Sequence, residues 1–324
     1  AIFSHVAKLI AVYVEDLAFL KDEHDRYNGS PYDRFLLKNG LPLHPSAGES
    51  PQRYSQRLLQ KVSRLQDPAY VTAEEGAFAY HQQAFEFGPQ ELQGMLLFFS
   101  RSNARQPQAK AANCVTCHPA PDFTDFAFHN TGMTQLGYDS IHGEGSFKAL
   151  AIPSLKQRNA EPLKWLPANE QHPTAAEPFR RVPVADKPGW VDLGAWNIFA
   201  NPDYPASQTV LRHWLCEEQT RALLQGPSLL WQADAACDDA TLLERSIAAF
   251  KTPTLRDLGH SQPYMHNGGF STLGEVVAFY LLVSKQAEMG QLRNPAPGLA
   301  DVNLEGQDLN ALVAFLRALN EDYE

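Results

Sequence analysis

The 324-residue chain has little cysteine and little methionine, four of each. Four thiols cannot hold a chain of this length together as a disulfide scaffold, so their placement matters more than their number. It also lacks any apolar run long enough to cross a bilayer. The best candidate, from Val6 to Val14, is interrupted by Lys8 and followed by Glu15 and Asp16, and it reads as one face of an amphipathic helix. Positive charge is in deficit, with 27 Lys and Arg against 37 Asp and Glu and a net charge of −10. That balance argues against a nucleic-acid or anionic-membrane surface. There is no internal repeat, low-complexity tract or sustained strand alternation. No Ser-His-Asp set, phosphate-binding glycine loop or paired-carboxylate motif stands out, so no catalytic residue is nominated. The chain opens inside a helical pattern with no basic leader, which is expected of a mature or truncated form whose export signal has been removed.

What is present is a 44% hydrophobic composition with 23 Pro and 20 Gly. This supplies a core, but with long ordered loops in place of a plain helical bundle. Apolar residues recur with helical spacing over 3–25, ended by Asn28-Gly29-Ser30-Pro31, and again at Tyr54, Leu58, Leu59, Val62 and Leu65. Pro89 opens a helix through Phe99, and Thr272 with Glu275 forms a capping box ahead of another. Residues 207–249 look helical, and a terminal helix carries Leu309, Leu312, Val313, Leu316 and Leu319. Between Pro119 and Pro205 the chain is loop-rich. The five Trp, all between Trp165 and Trp231, read as core filling for this irregular stretch. The expected class is mainly α, with long loops and insertions. It is expected to be one enlarged domain over 1–324. Within it, 1–88 is an N-terminal helical segment, 89–142 an attachment segment, 143–249 insertion-rich and 250–324 a distal segment with the C-terminal helix.

One motif carries chemistry. Cys114-Val115-Thr116-Cys117-His118 is C-x-x-C-H, the attachment signature of c-type haem. One turn sets two thiols for thioether bonds, and the next residue offers an axial imidazole from the same side. A redox dithiol would need a βαβ context that is absent, and a zinc site would need a second closely spaced pair, which Cys216 and Cys237 are not. Covalent haem is installed outside the cytoplasm, where Cys216 and Cys237 can pair as a disulfide closing a loop worth roughly 3 kcal/mol. The alternative for these two is a pair of buried free thiols.

Several blocks together resemble a family. Gly94 to Phe99, Asn113 to His118, Phe123-Thr124-Asp125 and Phe128 to Gly132 are similar to the C-terminal haem domain of bacterial di-haem cytochrome c peroxidases and their MauG-type relatives. Phe250 to Arg256 and Pro263-Tyr264-Met265-His266-Asn267-Gly268 resemble that domain's second signature, and Ser30 to Phe35 the segment joining two haem domains. The resemblance implies a mainly α, cytochrome c-like haem domain with one covalent haem c and His118 on the iron. The distal ligand is expected fourteen residues beyond His266, where Tyr280 stands. It is Met in typical peroxidases of this kind and Tyr in MauG-type enzymes, and Met265 is the rival. A phenolate favours ferric and higher states, a thioether the ferrous state. Arg256 is expected beside a haem propionate, His266 within the haem pocket, and His129 and Asn130 behind the porphyrin. Carbonyls near Ser261 and Pro263 match a calcium position between the family's domains. Residues 143–185 and 206–246 look like insertions. The family's second C-x-x-C-H, on the peroxide-binding haem, has no counterpart here. The expected function is periplasmic electron transfer coupled to peroxide-dependent oxidation, with a small cytochrome, a copper protein or a protein substrate as redox partner. The alternative is a mono-haem electron-transfer, sensor or assembly subunit without enzymatic activity.

Overall fold

A computed structural model describes residues 19–102, 109–203 and 238–322, with positions 5, 6, 8–10, 12, 13, 212 and 215. Cys216, Cys237, Trp214 and Trp231, and most of the helical pattern over 207–237, lie outside the described residues.

The first helices begin where local chemistry dictates. Ser30 caps α1 (Pro31–Lys38) in a reciprocal box with Asp33, and Ser50 caps α2 (Pro51–Val62) through the Arg53 N–H. The Glu91 carboxylate accepts from Gly88 N at the start of α3 (Pro89–Phe99). All three open on proline, whose fixed φ suits a first turn and whose missing N–H costs nothing there. The helix expected over 3–25 does not run to its end. Residues 22–25 turn, and Lys21 bridges Tyr27. The Asp22 carboxylate accepts from the main-chain N–H of His24 and Arg26, the local competition by which aspartate favours turns over helix.

Beyond the Cys114–Thr116 3-10 turn come α4 (Met133–His142), α5 (Ser146–Ala149), α6 (Leu155–Ala160), α7 (Pro162–Trp165) and α8 (Asp239–Ser246). The chain ends in α9 (Leu273–Glu288), capped by Thr272 and Glu275 as the sequence predicts, and α10 (Asp308–Arg317). The two-residue strands β1 (Phe128–His129) and β2 (Phe250–Lys251) pair antiparallel, Phe128 opposite Lys251. The architecture is mainly α, in a cytochrome c-like arrangement. Among the described residues no helix is long and apolar enough to cross a membrane.

The principal core lies between α1, α2, α3 and α10. Phe98, Phe99, Phe123 and Phe315 meet edge-on or tilted at centroid separations of 5.1–6.2 Å. Gly94 lets α3 and α10 close: a Cβ there would overlap the Ala311 carbonyl and stand 2.8 Å from Phe315 Cβ. A second cluster, formed by Tyr138, Phe147, Phe179, Leu193, Trp196 and Ile247, stabilises the loop-rich region. Trp196 is fully buried with Phe179 edge-on to it, and Trp165 stacks on the other side of Phe179, so core filling holds for these two. A third cluster joins α4 to α9 through Met133, Phe279, Val283 and Leu292.

Candidate functional site

The C-x-x-C-H segment is fixed from several directions. Ala112 N donates to Leu97 O at the end of α3, and Asn113 N to Ser100 O. Asn113 then adopts a left-handed φ of 58°, which Asn tolerates better than most residues, and its Nδ2 donates to Gly298 O at 2.7 Å. Thr116 Oγ1 donates back to Asn113 Oδ1, and the His118 N–H reaches Cys114 O at 2.9 Å. The result is one tight turn with Cys114, Cys117 and His118 all half-buried.

The donor set has a definite protonation pattern. His118 Nδ1 lies 2.8 Å from the Phe123 carbonyl, which can only accept, so Nδ1 carries the proton and Nε2 is the basic nitrogen. Burial holds the His118 pKa below its ordinary value, which keeps the ring neutral. Cys114 and Cys117 are free thiols, and burial with the nearby Cys117 pushes the Cys114 thiol up to about 12. Two thiols and a neutral imidazole on one turn fit haem c better than a dithiol redox pair, which requires an easily formed thiolate.

The second signature block is folded against the first. Thr252 N donates to Ala127 O, Thr124 Oγ1 to Thr252 O, and Thr254 Oγ1 to Asp122 O. Behind the thiols, His129 Nε2 stands 2.7 Å from Asp125 Oδ2. Burial opposes a charged ring, yet Cys117 and Asp125 together hold the His129 pKa well above its usual value. His129 Nδ1 is buried without a hydrogen-bond partner. Asn130 turns away, donating from Nδ2 to Arg293 O and accepting the Gly132 N–H.

Both rival distal residues reach the same apolar wall, which Met133, Phe270, Phe279 and Val283 build. Tyr280 is half-buried, and its desolvation with the nearby Cys117 and Cys114 thiols raises its pKa well above 10. Met265 packs on this wall and on the principal core, with a left-handed φ of 69°.

Arg256 and His266 have definite protein partners. Arg256 is buried, forks onto both Asp33 oxygens at 3.0 Å, donates from Nε to Pro121 O and lies over the Tyr27 ring at 3.8 Å. A buried guanidinium needs a carboxylate, and Asp33 of α1 supplies it with Glu321 beyond. The His266 ring lies flat on Phe250, 3.6 Å away, with the residue itself exposed. Arg101, just past α3, was not nominated from sequence. It is half-buried within electrostatic reach of Cys117, and an isolated arginine after a helix carries no pattern that would single it out.

No protein-family model matches the chain, and no solved structure does. By sequence it is similar to the cytochrome-c peroxidase IdrP2 of Denitromonas iodatirespirans, 42% identical over 207 residues that make up 64% of this chain and 36% of that protein. It is also similar to IdrP2 of Pseudomonas sp. (strain SCT), 43% identical over 79 residues, 24% of this chain and 19% of the relative. The cytochrome-c peroxidase IdrP1 of the same strain is 29% identical over 138 residues, 43% and 34% of the two chains. The chain thus spans about a third or less of the length of these relatives.

Proposed function

We propose that this chain is a periplasmic c-type haem protein of the cytochrome c peroxidase family, coupling electron transfer to oxidation by hydrogen peroxide. The observation that carries this reading is the Cys114–His118 turn, with its imidazole tautomer set by the Phe123 carbonyl. Cys114 and Cys117 would hold the haem through thioethers and His118 through Nε2, and the bound haem supplies one-electron chemistry at iron. The Phe123 carbonyl orients the imidazole and, by accepting its Nδ1 proton, makes Nε2 a stronger donor. Asp125 keeps a proton on His129 Nε2 beside Cys117. The apolar wall of Met133, Phe279 and Val283 packs against Tyr280 and Met265. Tyr280 is the proposed distal ligand, in the MauG-type manner. The partner is a small cytochrome, a copper protein or a protein substrate.

The test is peroxide titration of the ferric, haem-loaded protein, followed optically and by spin resonance, with haem counted per chain. A stoichiometric spectral change, lost in His118→Ala, supports the reading. One haem with no response to peroxide supports electron transfer alone.

A further inference from the structure

Apart from the thiol site, His81 meets Asp257 and His260, distant from it in sequence, where the loop before α3 passes the end of α10. His81 Nε2 stands 2.8 Å from Asp257 Oδ1, and His260 Nδ1 stands 2.8 Å from Asp257 Oδ2. One donor atom from each of the three lies within 4.8 Å of the other two, and the two rings are 4.2 Å apart. The backbone is shaped for this meeting. Asp257 takes a left-handed φ of 56° at the head of a 3-10 turn, which aims its carboxylate between the rings. At Gly259 a Cβ would fall 2.5 Å from His81 Nδ1, so only glycine admits the ring. Main-chain bonds hold each ligand-bearing strand of chain: Asp257 N to Leu319 O, Gly259 N to Asn320 Oδ1, and Ala79 N and Tyr80 N to the Asp322 carboxylate.

We propose that His81, Asp257 and His260 form a binding site for one divalent transition-metal ion of the zinc class. Tetrahedral zinc with ligands at about 2.0–2.1 Å places donor atoms roughly 3.3 Å apart, inside the 4.8 Å within which the three donor atoms already lie. His81 Nε2 also lies 3.1 Å from the Glu321 carbonyl, a contact it gives up to the ion, and each imidazole binds in the tautomer whose N–H points away from the metal. For His260 the Tyr80 backbone stands ready to accept that proton. Three protein ligands leave a fourth position for water or a small anion. Two imidazoles select against calcium and magnesium, which demand oxygen, so this site differs in chemistry from the carbonyl position expected at Ser261 and Pro263. Occupied, it clamps the loop carrying His81 to the C-terminal residues.

The haem-loaded full chain, first stripped with chelator, is dialysed against zinc at about 10 µM near pH 7.5, and its metal content is counted. Wild type should bind one zinc more per chain than His81→Gln or His260→Gln. Affinity in each variant should fall by more than the ~10–100-fold typical of losing an outer-shell partner. Zinc should also raise the melting temperature of wild type alone, and excess calcium should not displace it. His260 is one-third exposed, so His260→Gln reports on the metal even if His81→Gln misfolds. Equal zinc in wild type and folded His260→Gln, or displacement by calcium, would overturn the assignment.

Discussion

Gly94→Ala places a methyl group at the crossing of α3 and α10. Two effects of opposite sign compete. In a helix interior, replacing glycine by alanine gains about 1 kcal/mol from backbone entropy. Against this, the new Cβ would sit on the Ala311 carbonyl, 2.6 Å from its carbon, and 2.8 Å from Phe315 Cβ. Comfortable carbon–carbon contact begins near 3.5 Å, so the helices must part by at least about 1 Å. The obstacle is main chain, which cannot rotate aside, and Phe315 is locked among Phe98, Phe99 and Phe123. Overpacking of this kind costs typically 1–3 kcal/mol and more where backbone must move, so the net effect is destabilisation by about 2 kcal/mol. At about 2 °C per kcal/mol for a large domain, the melting temperature should fall by about 4 °C. Thermal unfolding followed by far-ultraviolet circular dichroism measures it. Helix propensity alone predicts the reverse sign, so a variant as stable as wild type, or more so, refutes the close-crossing argument.

Glu321 makes folding pH-dependent. Burial raises its pKa to about 7 against the pull of Arg256, so the fold keeps a proton that the unfolded chain has released. Its contribution is complete below about pH 4.5 and is lost as pH rises to about 7. Glu321→Gln should therefore flatten the urea midpoint between those values, a gain on the order of 2–3 kcal/mol at the alkaline end, and parallel curves for the two proteins would contradict it. At the distal position, Tyr280→Phe should alter the ferric optical spectrum while Met265→Leu leaves it unchanged, and the opposite result assigns the ligand to Met265.

Two helix starts were legible because their chemistry is local: Pro89 and the Thr272–Glu275 box each declare a first turn within four residues, whereas Ser30-Pro31, read as a helix end, also opens α1. The attachment turn was legible for the same reason. The turn at Lys21–Tyr27 was not, since apolar spacing continues through it and only the Asp22 side chain breaks the helix. The short helices α4 to α7 lack long periodicity and owe their shape to packing around Trp196 and Phe179. Arg256 shows a different limit. Its position in the block said that a charge was needed, but its partner Asp33 stands 223 residues away. The His81–Asp257–His260 meeting is equally non-local, as no spacing rule joins residues 81 and 257.

The meeting of segments far apart in sequence on one buried polar cluster has a kinetic consequence. Arg256 contacts Asp33 and Glu321, and Glu321 accepts from Leu20 N across 301 residues. Each such contact requires a very long loop to be gathered before it repays the lost chain entropy. Local helices form quickly, but the α3–α10 crossing and this cluster complete only when residues 308–321 arrive. Folding should be slow for a helical protein, nearer the milliseconds-to-seconds of high contact order than the microseconds of bundles. During synthesis the thiol turn is therefore made long before the walls that enclose it.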